Sequence, residues 1–143
     1  MDYFGRKLVV NLRAKLDSEI EVAGKCYQET LRLLEGLNQP EIERVSLTNL
    51  GFVAERAGQL DVASDSYKRA IEVIESGRRN ISSETPRLAY FGRRLDPYRR
   101  MVVVSNSMKR EADSFIWVER SQERTLLDLL STREYERGIS PLN

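Results

Sequence analysis

Histidine is absent from all 143 residues of this chain, and cysteine occurs once, at Cys26. Histidine is the usual general base near neutral pH and the commonest metal ligand, so its absence removes Ser-His and Cys-His catalysis. A lone thiol can neither close an internal disulfide nor assemble a zinc site. A glycine-rich phosphate loop and a DxD-like metal cluster are also missing. The expectation is a protein with no enzymatic activity, no catalytic residue, no metal and no cofactor. The opening MDYFGRKL lacks the apolar stretch of a secretory signal, and no window approaches the run of about 20 apolar residues that spans a bilayer. A soluble, cytoplasmic protein without a membrane partner is the reading that follows.

Four prolines and eight glycines leave long segments uninterrupted, while 41% hydrophobic and 31% charged residues suit a solvated helical bundle or repeat array. The length fits one domain, which can bury roughly 68–70% of the surface its unfolded chain exposes. Helical periodicity is visible from the start. Leu16, Ile20, Ala23, Tyr27, Leu31 and Leu34 recur at steps of three and four, which places them on one helix face. Upstream, Leu8, Val9, Leu12 and Leu16 form a second such row. Asp17-Ser18 offers a cap for a break between the two, a continuous helix being the alternative.

Gly36 to Pro40 stops this segment, and Pro40 fits the first turn of the next helix because it needs no amide partner there. Ile42, Val45, Leu47, Leu50 and Ala54 predict its core face up to a turn at Gly58-Gln59-Leu60-Asp61. A further helix to about Ser76 turns Val62, Ala63, Tyr67, Ala70, Ile71 and Ile74 inward. Its Asp65, Lys68, Arg69, Glu72 and Glu75 face water, and Gly77 ends it. A short helix is expected around residues 83–94. Asp96-Pro97 then caps another, in which the valines 102–104 read as helix because no partner strand exists. The last helix covers about Lys109 to Leu130. The division is a helical repeat domain over 1–130 and a tail or linker over 131–143.

Ala23, Tyr27 and Thr30 recur forty residues later as Ala63, Tyr67 and Ala70. The stretch LTNLGFVAERAGQLDVASDSYKRAIEVI resembles a tetratricopeptide repeat. Leu47 stands at its aromatic position, Leu50-Gly51 at the Leu-Gly pair and Ala54 at the tyrosine position, followed by Ala63, Tyr67 and Ala70. Small residues at Gly51 and Ala63 allow the two helices of one hairpin to cross closely, and Tyr67 fills the groove against the next helix. Glu75 departs from the family's proline, and a forty-residue spacing exceeds the usual thirty-four. Farther on, FGRRLDPYRRMV and FIWVERSQERTLLDLLS resemble the last repeat of the tetratricopeptide arrays that precede CHAT domains, caspase-like cysteine peptidases of bacteria. Glu119, Arg120, Arg124 and Leu126 to Leu130 carry the signature. That likeness implies a recognition or regulatory part of a CHAT peptidase system, with no catalytic residue to carry over. A carboxylate clamp for chaperone tails is not implied. Leu8 and Leu12 stand where the clamp has lysine and asparagine, and only Asn49 fits.

The resemblance implies an all-α, right-handed array of about three tetratricopeptide-like antiparallel helical hairpins, acting as a scaffold by protein-protein interaction. Its partner would be a protein or peptide, a CHAT peptidase domain being one candidate. First helices line the concave surface of such arrays. The candidate contact residues are therefore Thr48, Asn49, Phe52, Glu55 and Arg56, with Arg94, Met101 and Ser105 from the next hairpin. A different class of function arises from charge. Nine basic residues against two acidic ones between Arg78 and Arg110 leave a local balance of +7 in a chain of net +1. That segment either neutralises the acidic stretch after Glu111 or binds nucleic acid or an acidic partner. Cys26 reads as a small buried hydrophobe, and Trp117 as core packing or an exposed partner anchor. Leu126, Leu127, Leu129 and Leu130 favour self-association or docking through the C-terminal helix.

Overall fold

The computed structural model describes residues 3–79 and 95–136, and all secondary structure among them is helical: α1 Tyr3–Leu33, α2 Pro40–Arg56, α3 Leu60–Arg79, α4 Asp96–Ser107 and α5 Glu111–Glu136. The chain is all-α in these segments. Each helix packs on its neighbour in sequence, α1 on α2, α2 on α3, α3 on α4 and α4 on α5, and α2 also touches α4. Short connections make α1/α2, α2/α3 and α4/α5 antiparallel hairpins. The helix expected around residues 83–94 lies outside the described residues.

The turns follow local rules. After α2 the Gly58 amide donates to Glu55 and the Gln59 amide to Ala54, with Gly58 at φ 74°. This closure of the last helical turn needs a left-handed residue, which glycine adopts without steric cost. The α4/α5 turn repeats the pattern, with Lys109 donating to Asn106 and Arg110 to Ser105, yet Lys109 occupies the left-handed position at φ 58°. Pro40 starts α2 as expected. At α4 the cap is Leu95, and Asp96 already belongs to the helix.

α1 is continuous through Asp17-Ser18. It is about fourteen residues longer than α2, roughly 20 Å at about 1.5 Å per residue. Gly24 faces Val53 on α2, so the excess lies at the N-terminal end of α1. Val9, Val10, Leu12 and Leu16 are accordingly exposed, because α2 ends before it can cover them. Cys26 is exposed rather than buried. α3 runs through Gly77 to Arg79, and α5 continues through residues 131–136, which had read as tail.

The core joins α2, α3, α4 and α5 through Ala54, Ala63, Tyr67, Ile71, Ile74, Tyr98, Met101, Val104 and Trp117. Trp117 is a packing residue, set edge-on to Tyr98 with ring centroids 6.4 Å apart. Such an aromatic pair contributes about 0.5–1.5 kcal/mol beyond its burial. Gly51 lies against Tyr67 so closely that a β-carbon there would stand 2.6 Å from the ring. A pair of similar polar clusters bridges the helices. Glu55 on α2 accepts from the Tyr67 hydroxyl on α3 at 3.0 Å and from Arg100 on α4 at 3.3 Å. Glu75 on α3 accepts from Tyr98 on α4 and Arg124 on α5. Glu75, read from sequence as a water-facing residue, thus satisfies a buried phenol on the next helix.

Candidate functional site

α2 carries two apolar rows rather than one. Leu47, Leu50, Gly51 and Ala54 are buried, whereas Ile42, Val45 and Phe52 are 49%, 41% and 41% exposed. Steps of three, four and three link Ile42, Val45, Asn49 and Phe52, and Arg56 extends the line by one turn. Ile42 and Val45, expected in the core, therefore belong to the exposed row. The reason is that α3 packs on the Leu47, Leu50 and Gly51 side, where the small glycine admits the Tyr67 ring.

Phe52 is held between two cations. The Arg56 guanidinium lies 5.8 Å and that of Arg100 4.9 Å from the ring centroid. Each such contact is worth about 0.5–1 kcal/mol at an exposed site. Arg100 is further anchored by Glu55, whose side chain is 17% exposed. Burial and the Glu55 carboxylate push the Tyr67 hydroxyl well above the ordinary phenol range. Glu55 accepts from both Tyr67 and Arg100, and so positions Arg100 beside Phe52.

The other expected contact residues divide. Asn49, within the row, and Thr48 beside it are half-buried, and the Thr48 hydroxyl donates to the Arg44 carbonyl at 2.8 Å. Met101 and Ser105 are 1% and 4% exposed, so neither belongs to the exposed surface beside the α2 row. α4 turns them toward α3 and α5, and its side facing α2 presents Arg100 instead. Arg94 lies outside the described residues. So do the side chains of Arg78, Arg79, Arg87 and Arg93, which leaves Arg99, Arg100, Lys109 and Arg110 of the basic segment in view. Within the C-terminal signature Arg120 covers the Trp117 ring at 4.9 Å and Arg124 binds Glu75. Leu126 is exposed, and the side chains of Leu127, Leu129 and Leu130 lie outside the described set.

Sequence reasoning missed Ile42, Val45 and Arg100. The first two could have been found by running the Phe52 register backwards at helical steps. Arg100 has no local signal, since its place depends on α4 lying beside α2. Among the described residues no group of three or more His, Cys, Asp or Glu could hold a metal ion, and no helix is long and apolar enough to cross a membrane. In comparisons with known proteins no family model matches the chain, and no curated protein or solved structure matches it significantly.

Proposed function

We propose that this chain is a non-catalytic protein-interaction module, a tetratricopeptide-like array that presents the outer row of α2 to a protein or peptide partner. The observation that carries the reading is Phe52, an exposed aromatic ring fixed between Arg56 and Arg100 in line with the exposed Ile42 and Val45. Aromatic and arginine side chains dominate the energetics of protein interfaces, and here they are already immobilised, which lowers the entropy cost of binding. The partner suited to this row has apolar side chains at successive turns and an acidic group near the arginines. The repeat reading is supported by the close pairing of Gly51 with Tyr67 and the complete burial of Ala63 across the α2/α3 hairpin. A recognition or regulatory role beside a CHAT peptidase is the specific form of this proposal.

The test is recovery of partners by tagged wild-type chain and by Phe52→Ala and Arg56→Glu variants, each first matched in melting temperature. Loss of the Phe52 ring removes about 1.5–3 kcal/mol of apolar burial, a ten- to hundredfold weaker complex. Arg56→Glu has the smaller effect, since an exposed ion pair contributes about 0–1 kcal/mol. Identical recovery by all three proteins would refute the α2 row as the contact surface and shift attention to the arginine-rich segment 78–110.

A further inference from the structure

A cleft of about 200 Å³ opens between α3, α4 and α5, and no residue of α2 lines it. Ser64 on α3 and Ser105 on α4 face it, 6% and 4% exposed. A helical serine commonly satisfies itself by donating to the carbonyl four residues back. Ser66 does so to Val62 at 2.7 Å and Ser107 to Val103 at 2.9 Å. The Ser64 and Ser105 hydroxyls make no such bond and have no partner among the described residues. Buried hydroxyls without partners are rare, and a pair lining one cleft calls for a ligand that supplies the missing acceptor.

The rim identifies the chemistry of that acceptor. Lys68, Arg110 and Arg120 line the opening against a single carboxylate, Asp113, and Lys68, Arg110 and Asp113 form no ion pair among the described residues. Three cations against one anion leave an excess of two positive charges. Arg110 is placed there by the α4/α5 turn, in which its amide donates to the Ser105 carbonyl and the preceding Lys109 accepts a left-handed backbone. Trp117 closes the inner wall with Arg120 over its ring. The volume equals about six or seven water molecules at about 30 Å³ each. That admits a small oxyanion on a short stem.

We propose that this cleft binds a compact oxyanion group, a phosphoryl or carboxylate, which accepts from the Ser64 and Ser105 hydroxyls and is held by Lys68, Arg110 and Arg120. Charge-assisted hydrogen bonds of this kind are short and strong, and their exposed half weakens with salt. The site is independent of the α2 row and adds anion recognition on a separate face.

Trp117 is the sole tryptophan, so its emission reports on the cleft directly. The full chain would be titrated with inorganic phosphate, O-phosphoserine and N-acetylaspartate amide, with sodium chloride at matched ionic strength as control. A saturable change with at least one probe is expected, weakened tenfold or more by Lys68→Gln and by Ser105→Ala, and tightened by Asp113→Asn. Saturation by inorganic phosphate identifies a free anion as sufficient, whereas response only to the amino-acid probes identifies a group displayed on a peptide. Ser105→Ala removes a hydroxyl without a protein partner, so its unliganded melting temperature stays unchanged. If that variant fails to fold, Lys68→Gln at an exposed position decides the question. No response beyond that of chloride, or an affinity unmoved by Lys68→Gln and Asp113→Asn, overturns the proposal.

Discussion

Gly51→Ala and Gly24→Ala place the same methyl group on two packed helices and are expected to change stability in opposite directions. In a helix interior alanine is favoured over glycine by about 1 kcal/mol, and both positions gain this term. At Gly24 the new carbon would meet only the Val53 side chain at 3.4 Å, an ordinary contact. At Gly51 it would meet three atoms of the Tyr67 ring at 2.6, 2.7 and 2.9 Å, about 1 Å inside the usual carbon separation of about 3.5–4.0 Å. The ring cannot swing aside, because it is 0% exposed and its hydroxyl is tied to Glu55. Overpacking of this kind costs about 1–3 kcal/mol, and the pinned ring puts it near the upper end. The net expectation is a loss of about 2 kcal/mol for Gly51→Ala and a gain of about 0.5–1 kcal/mol for Gly24→Ala. Urea titration followed by helical circular dichroism measures both. Tyr67→Phe, which keeps the ring, should not relieve Gly51→Ala, whereas Tyr67→Leu should relieve part of it. A Gly51→Ala protein as stable as wild type would refute the close crossing of α2 and α3.

The remaining predictions concern the tyrosines and the α4/α5 turn. Burial and the adjoining Glu55 and Glu75 carboxylates raise the Tyr67 and Tyr98 hydroxyls well above the ordinary value of about 10. With the folded pKa above the unfolded one, their contribution is fully present below about pH 10 and is lost as pH rises beyond it. The limiting slope is about 1.4 kcal/mol per tyrosine per pH unit. Chemical denaturation between pH 9 and 11 checks this, and a Tyr67→Phe/Tyr98→Phe protein should show a flatter decline. Lys109→Gly should stabilise by about 1 kcal/mol by relieving a left-handed lysine, while Gly58→Ala at the equivalent turn should destabilise by a similar amount, both read from melting curves.

Much of the fold was legible because helix formation depends on spacing that a linear chain displays. The stops at Gly36-Pro40 and Gly58, and the inward row of Ala63, Tyr67, Ala70, Ile71 and Ile74, follow from backbone chemistry and a period near 3.6, although Val62, expected in the same row, is 40% exposed. The small residues Gly51 and Ala63 at a close helix crossing were visible too, but the Tyr67 ring, expected in a groove against the next helix, lies directly on Gly51 within its own hairpin. The outer row was less legible. α2 has apolar residues at helical spacing on two sides, and periodicity assigns both to the core equally well. Phe52 was already read as outward from the repeat resemblance, and only the approach of α3 settled that Leu47 and Leu50 go in while Ile42 and Val45 stay out.

Sequence alone determined that the described segments are helical, where the turns at Gly36-Pro40 and Gly58 fall and that histidine-based chemistry is excluded, because each of these depends on residue identity or on neighbours within a few positions. Tertiary structure decided the rest. Glu55 and Glu75 look like solvated surface in a helical projection, yet each accepts from a buried phenol and an arginine on two other helices. Met101 and Ser105 look like surface candidates and are buried. Arg100 reaches Phe52, and Ser64 shares a cleft with Ser105, only because α4 lies beside both α2 and α3. Contacts between residues forty or more positions apart are set by how whole helix faces pack, and no local pattern encodes which face meets which.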